Sequence, residues 1–503
     1  MSSSQIRACL EEILHFMQPH WEFVNCHMVS YLTEKHWQNY VPAELKHEVP
    51  DVESVQSCIE TVFWQNNDGD NKFSGVKQFV ANCRKYYLDK STDILTPMEQ
   101  LNKALGLVQD DAQNLTIKEF MSEKKRHEVE ITAALIDRLI HSVSSNTEVY
   151  IVDAGDGKGY LSSRLALQYK HRVLGIDFQE LNTENALQRN RKLERVWNGL
   201  VKRAELQQQG ITPKRRSKNV QKPATFTPET IANANEKDML YKTTAAFITT
   251  DLNIIQLLQQ QFPQVTHTSA ICLTGLHTCG NLATTCLRLF HEQPQCRLIC
   301  NIGCCYHLLQ EEYASPEFFE NETISARQKT PGFPMSQFLR DKHLTLGRNA
   351  RMLATQSFER VTSERSVMNT SLYYRALLEV LICDTAQEMR QKLQVGKVRK
   401  YANFNEYVAL CCKKFATTQN CNLHWDTAIV DNVQKQYAAD AHYMHLYYML
   451  RMCFAQVIES LILLDRLLYL KELGYAESYL VAVFDAVISP RRFGIIALKS
   501  AAS

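Results

Sequence analysis

From residue 148 onward, short apolar runs end in small or polar residues, and each is followed by a stretch with helical spacing. The runs are Glu148 to Val152, Arg172 to Ile176, Ala245 to Thr249, Ser269 to Thr274 and Arg297 to Ile302. Apolar runs of this length suit strands covered on both faces, and the intervening helices supply the cover. The alternation therefore predicts a doubly wound parallel sheet. Near the end, Tyr479 to Phe484 and Gly494 to Leu498 flank Ser489-Pro490-Arg491-Arg492, too short a link for a returning helix. This pair is expected to form an antiparallel hairpin. Five parallel strands and one hairpin make a seven-stranded, Rossmann-like α/β sheet.

Before residue 120 the pattern differs. Leu10, Ile13, Leu14 and Met17 recur at helix spacing, and Asn66-Asn67-Asp68-Gly69-Asp70-Asn71 forms a polar break. The organisation expected is a helical N-terminal region over residues 1–120 and the sheet domain over 121–503, with two insertions. One, about 201–240, contains Pro213-Lys214-Arg215-Arg216-Ser217-Lys218 and is poor in apolar residues. It reads as a basic loop that is a solvated linker, a local RNA contact or a nuclear localisation signal. The other, about 310–440, is largely helical and precedes a long helix at roughly 440–472. Its place near the strand ends suits substrate recognition.

A chain of 503 residues exceeds one compact core. With 56 basic against 54 acidic side chains the net charge is +2, so no chain-wide field attracts a polyanion and any nucleic-acid contact must be local. Glu11 and Glu12 interrupt the place where a signal core would run. The most apolar helical stretch, Val457 to Leu470, carries Glu459, Asp465 and Arg466 and cannot span a bilayer. A soluble protein of the cytoplasm, or of the nucleus, with no membrane partner is expected. Its sixteen cysteines then read as reduced thiols rather than a disulfide framework.

The first apolar run leads into Asp153-Ala154-Gly155-Asp156-Gly157-Lys158-Gly159. Glycines here let the backbone approach a ligand, and the following helix begins with free N–H groups. In the dinucleotide fingerprint the third glycine comes three residues after the second, whereas Gly155, Gly157 and Gly159 alternate. The alternating pattern resembles the first motif of class I methyltransferases, in which the strand-terminal acid and the loop wrap the methionine part of S-adenosyl-L-methionine. Asp177 closes the second strand about twenty residues on, where an acid accepts hydrogen bonds from ribose hydroxyls. Asp251, after the third run, is placed to meet the adenine amino group. A turn residue at 177 and a helix cap at 251 are the structural alternatives.

The fourth and fifth runs lead into Gly275-Leu276-His277-Thr278-Cys279-Gly280 and Gly303-Cys304-Cys305-Tyr306-His307. In a doubly wound sheet both loops border the same crevice as the glycine loop. His277 is a candidate general base. A zinc site from the histidines and cysteines is the competing idea, but the spacing fits no standard finger, and adjacent Cys304 and Cys305 are not expected to face one ion. No metal ligand is therefore assigned. Upstream, Ser122 is a candidate cap for a helix opened by Lys124-Lys125-Arg126, whose charges oppose the helix dipole. Such a cluster can bind an anionic group of donor or substrate, and His127 within it is the second candidate catalytic residue.

These motifs resemble the methyltransferase-like protein 25 family and its close relative named for a ribosomal RNA adenine dimethylase domain. The resemblance rests on Val152 through Ser162, Gly175-Ile176-Asp177, Gln188 through Lys192, Lys124-Lys125-x-His127-Glu128, Gly275-Leu276-His277-x-Cys279-Gly280 and Gly303-Cys304-Cys305-Tyr306. Gly332 through Ser336, Tyr374-Arg375-Ala376 and Ser489-Pro490-Arg491 extend it, from about residue 120 to the C-terminus. Asp156 departs from it, standing where a small hydroxyl such as serine is expected. The resemblance implies a class I methyltransferase fold and methyl transfer, with RNA or protein as acceptor. Adenine-amine methylation usually uses Asn/Asp-Pro-Pro-aromatic after the fourth strand, and this chain has Leu276-His277-Thr278-Cys279 there. His-x-Cys-Gly and Cys-Cys-x-His are similar, in part, to a tRNA ribose methyltransferase family. A non-catalytic module that binds the same donor is the alternative, and an NAD-dependent oxidoreductase is disfavoured by the alternating glycines.

Overall fold

The computed structural model describes residues 2–65, 72–90, 94–107, 117, 121–143, 148–211, 239–315, 330–390 and 392–499. The polar break at 66–71 and the basic core of the first insertion, 212–238, lie outside the described residues. Two compact units emerge: Met1–Ala8, Ser91–Thr345 and Ile462–Ser503 form one, Cys9–Lys90 and Leu346–Leu461 the other.

The first unit holds helix α1 (Glu123–Val143), β1 (Val149–Ala154), α2 (Tyr160–Leu167), β2 (Val173–Asp177), α3 (Glu180–Gln208) and β3 (Tyr241–Ala245). Then follow α4 (Ile254–Gln261), β4 (Ala270–Cys279), α5 (Asn281–Glu292), β5 (Cys296–Cys304), α6 (Ala455–Glu472, which enters this unit at Ile462), β6 (Ser478–Ala482) and β7 (Phe493–Leu498). The seven strands form one sheet in the order β3-β2-β1-β4-β5-β7-β6. β1 to β5 run parallel, and β7 is antiparallel to both β5 and β6. This is the doubly wound, seven-stranded plan with its terminal hairpin. The direction of winding reverses at β1 and β4, so the loops leaving these strands open the crevice where ligands bind in such sheets.

All six residues of β1 are buried. Ile151 shares a core with Leu135, Ile136 and Leu139 of α1, Leu161 and Leu165 of α2, and Cys272, Leu298 and Ile496 of neighbouring strands. Burying each such side chain contributes about 1.5–3 kcal/mol, which is why the centre of the sheet is a firm base for the loops above it. Ser122 Oγ accepts the Lys125 N–H and caps α1 as expected.

Three elements differ from expectation. β3 is Tyr-Lys-Thr-Thr-Ala, four residues before the expected start, and it is the sheet's edge. An edge strand needs no apolar run on both faces, and the apolar Ala246-Phe247-Ile248 lies in the loop beyond it. β4 runs five residues longer than expected, so that His277, Thr278 and Cys279 stand on the strand and not after it. Finally, the long helix expected at 440–472 is two helices, Asp440–Met452 and α6.

The second unit is helical and draws on both ends of its sequence. Val52–Cys58 packs on Asp440–Met452, Tyr87 Oη donates to the Cys453 carbonyl at 2.8 Å, and Tyr447 packs edge-on to Phe23. Among the described residues of the chain, no helix is long and apolar enough to cross a membrane.

Candidate active site

The glycine loop turns through three left-handed residues, Gly155 (φ 77°), Gly157 (φ 57°) and Gly159 (φ 68°). At Gly159 a side chain is excluded twice over: the positive φ disfavours it, and a Cβ would meet the Tyr241 hydroxyl and lie 2.8 Å from Ala186. The loop is tied to the end of β2. Gly155 N–H and Asp156 N–H both donate to the Ile176 carbonyl, at 2.8 and 3.1 Å. From the other side the Arg189 guanidinium of α3 donates to the Lys158 carbonyl and lies over the Tyr160 ring.

Asp156 explains its departure from the family pattern. Its side chain does not enter the crevice but turns down into the space left by Gly175, where any Cβ would collide with it. There it accepts from Ser162 Oγ (2.7 Å) and from the Tyr241 hydroxyl. Asp153 lies beside it, 2% exposed, with Ser162 Oγ 2.9 Å away. Burial raises both carboxyls, and the neighbouring Asp156 raises Asp153 further. Asp153 thus acts on the loop from beneath, not on its open face.

Asp177 is the acid brought to the loop's ligand side. Its Oδ2 accepts the Gly157 N–H at 3.1 Å, and its Oδ1 accepts the Gln179 N–H at 2.9 Å and Asn182 Nδ2 at 3.0 Å. A carboxylate offers about four acceptor positions. Three are filled, leaving one position open on Oδ2, so the two hydroxyl contacts expected of this acid would need Asn182 to yield. Phe178, which sequence reading missed, is 53% exposed directly after Asp177, and Leu181 is 67% exposed one turn on. Apolar side chains left open beside this carboxylate are of a kind that can face a planar ring. Asp251 is exposed, six residues past the end of β3, in the turn that leads to α4. It is not that helix's cap, because Asn253 accepts the Gln256 N–H there.

His277 occupies a bulge. The β4–β5 register shifts between Leu276 and Thr278, and His277 takes φ 72°. The bulge sends its ring toward α1, where Nε2 lies 2.9 Å from Glu128 Oε2. Glu128 is fully buried and also accepts from Ser489 Oγ at 2.7 Å, with Lys125 Nζ at 3.2 Å and Lys124 Nζ at 3.7 Å. Burial alone would push this carboxyl up, but the hydrogen bond and the charge of His277, the Ser489 hydrogen bond and the Lys125 charge hold it down at about 2. An ionised carboxylate only accepts, so Nε2 carries the proton and a neutral His277 ring has Nδ1 as its basic atom. The basic run opening α1 is paired within its own helix, Lys124 and Lys125 sharing Glu128, and Arg126 meeting Glu130 at 3.1 Å.

His127 is not brought to this pair's proton path. Its Nε2 accepts the Asp485 N–H at 3.4 Å, the lone pair that a base would use, and its ring packs on Phe484. Of the two expected catalytic histidines, His277 is the one whose ring meets a buried carboxylate. Glu128 was invisible as a partner because its contacts lie 149 and 361 positions away in sequence.

A pH dependence follows from Glu128. Its carboxyl lies below the ordinary 4.5 in the fold, so its contribution is complete above 4.5 and is lost as pH falls toward about 2. In urea unfolding, the stability advantage of the native chain over Glu128→Gln is expected to shrink as pH drops below 4.5. A difference constant across that window would contradict the pairing.

Beyond His277, the Cys279, Cys304 and Cys305 sulfurs lie 3.3, 3.3 and 3.6 Å apart. This corrects the expectation that the adjacent pair would diverge. Consecutive side chains alternate along a strand, but Cys305 leaves β5 in a left-handed conformation (φ 50°), which breaks the alternation. The Cys305 thiol is held down by hydrogen bonds from Cys279 and Cys304, with His307 and Arg491 adding positive charge nearby.

A family model described as "Methyltransferase domain" matches residues 124–312, the span from the start of α1 to just past the cysteine cluster. The chain is 31% identical to "Probable methyltransferase-like protein 25" of Homo sapiens, over 98% of its own length and 97% of that protein's. The chain belongs to the methyltransferase-like protein 25 family. The Mus musculus protein of the same name is 30% identical, with 97% and 96% coverage. No solved structure matches. Membership of the methyltransferase-like protein 25 family, with its methyltransferase domain on a Rossmann-like sheet, makes this chain a methyltransferase, and a methyl donor follows from that.

Proposed function

We propose that the chain transfers the methyl group of S-adenosyl-L-methionine to a nucleophilic atom of a macromolecule, RNA or protein, in the cytoplasm or nucleus. The observation that carries the reading is Asp177 gripping the Gly157 amide: the ribose acid and the left-handed glycine turn form one surface. Gly155 and Gly157 leave that surface without side chains for the methionine portion. Asp177 Oδ2 accepts a ribose hydroxyl, Phe178 flanks the base, and exposed Asp251 is the remaining candidate for the adenine amino group. Asp153 and Asp156 keep the turn in shape from below.

The donor supplies an electrophilic methyl on a sulfonium; the bond to sulfur breaks as the bond to the acceptor forms, leaving a neutral thioether. His277 Nδ1 takes the proton that the acceptor releases, and Glu128 holds the ring and stabilises the resulting charge. Alignment of the acceptor supplies the larger part of the rate. A second helical unit, beyond what a donor site needs, supports a large acceptor over a small one.

The test is label transfer from methyl-labelled S-adenosylmethionine to RNA and protein fractions of cells lacking the protein. Label in one fraction, lost with His277→Ala, is the expected result. Donor binding with no label in either fraction would replace this reading with a non-catalytic donor-binding module.

A further inference from the structure

The three thiols at the ends of β4 and β5 are not used by the transfer chemistry. Cys279 and Cys304 are register partners across the two strands, and the left-handed turn at Cys305 adds a third sulfur within 3.6 Å of both. Their ligand atoms all lie within 4.8 Å of one another. A disulfide would join two of them at about 2.05 Å and leave one out, whereas here the spacing is nearly even and favours no pair. Three thiols converging on one point is the donor set of a soft or borderline metal.

We propose that Cys279, Cys304 and Cys305 bind a zinc ion with its fourth position open toward solvent. The size of the triangle selects the geometry. An ion lying in the plane of three sulfurs at a bond length of roughly 2.3 Å needs edges of about 4.0 Å. A tetrahedral ion at that bond length has edges of about 3.8 Å, so the observed 3.3–3.6 Å triangle sets the ion above the plane and opens by a few tenths of an ångström to become three corners of a tetrahedron. Cys304 is buried and Cys279 exposed, so the fourth corner has a way out on the Cys279 side. Three protein ligands with an open corner characterise zinc sites that take a water or substrate atom, while structural sites are closed by four. Zinc binding here does not depend on the donor reading, since the thiols converge whether or not methyl transfer occurs.

The experiment is zinc back-titration of the full chain, purified under reducing conditions and stripped with a chelator, against a chromogenic zinc indicator. A thiol reagent counts protected cysteines in the same samples. One zinc per chain is expected, with three thiols protected on binding. Cys279→Ser and, separately, Cys305→Ser should lower zinc affinity by more than the roughly 10–100-fold that an outer-shell change costs. Cys412→Ser, in the helical unit, should leave it unchanged. Either substitution at the cluster can be checked for folding by its thermal transition. Absence of stoichiometric zinc in the native chain, zinc binding unaffected by both cluster variants, or a disulfide within the cluster under these conditions would overturn the proposal.

Discussion

Asp177→Ala is expected to weaken S-adenosylmethionine binding by about 10- to 100-fold, read by isothermal titration. The expectation has two parts. A ribose hydroxyl loses a charged acceptor, and hydrogen bonds to charged groups contribute about 1.5–3 kcal/mol. In addition, Gly157 N–H loses the carboxylate that fixes the turn, so the loop is less ready for the donor. Asp177→Asn keeps one acceptor and should recover part of the loss. The thermal transition should move little, because Asp177 is only half-buried and the core of β1 and β2 does not involve it. Unchanged affinity in Asp177→Ala would place the ribose elsewhere.

The second large effect is on turnover. His277→Ala should lower kcat by about a hundredfold, the lower end of what a positioned base supplies, with the donor dissociation constant within a few-fold of native. Glu128→Gln should fall between the two and change the pH–rate profile, because an amide neither fixes the Nε2 proton nor stabilises a charged ring. A positioning residue predicts that shift; a purely structural one would lower the rate at every pH alike. Equal kcat in His277→Ala and native protein would remove the base from the mechanism and leave alignment alone.

The sheet was legible because its central strands are buried on both faces and therefore continuously apolar. β1, β2 and β5 fall within two residues of the expected ends. β3 was misplaced since an edge strand carries Lys242, Thr243 and Thr244 where a central one would carry aliphatic residues. β4 was read short because a bulge at His277 allows a polar tail to continue the strand, and periodicity carries no sign of a bulge. The glycine loop and Asp177 were visible as local spacing. Glu128 was not: its role exists only when α1, the end of β4 and the turn at Ser489 meet. The same applies to Cys305, whose left-handed backbone is what joins it to Cys279 and Cys304. Asp156, read as an oddity of the loop, is a buried partner of Gly175 and Tyr241.

The central claim is that the alternating glycine turn and Asp177 form a site for S-adenosylmethionine. Parallel calorimetric titrations of the full chain with S-adenosylmethionine and with NAD test it most directly. The structure predicts saturable binding of S-adenosylmethionine at one site per chain and none of NAD at the same concentrations. Preference for NAD, or no binding of S-adenosylmethionine, would contradict it.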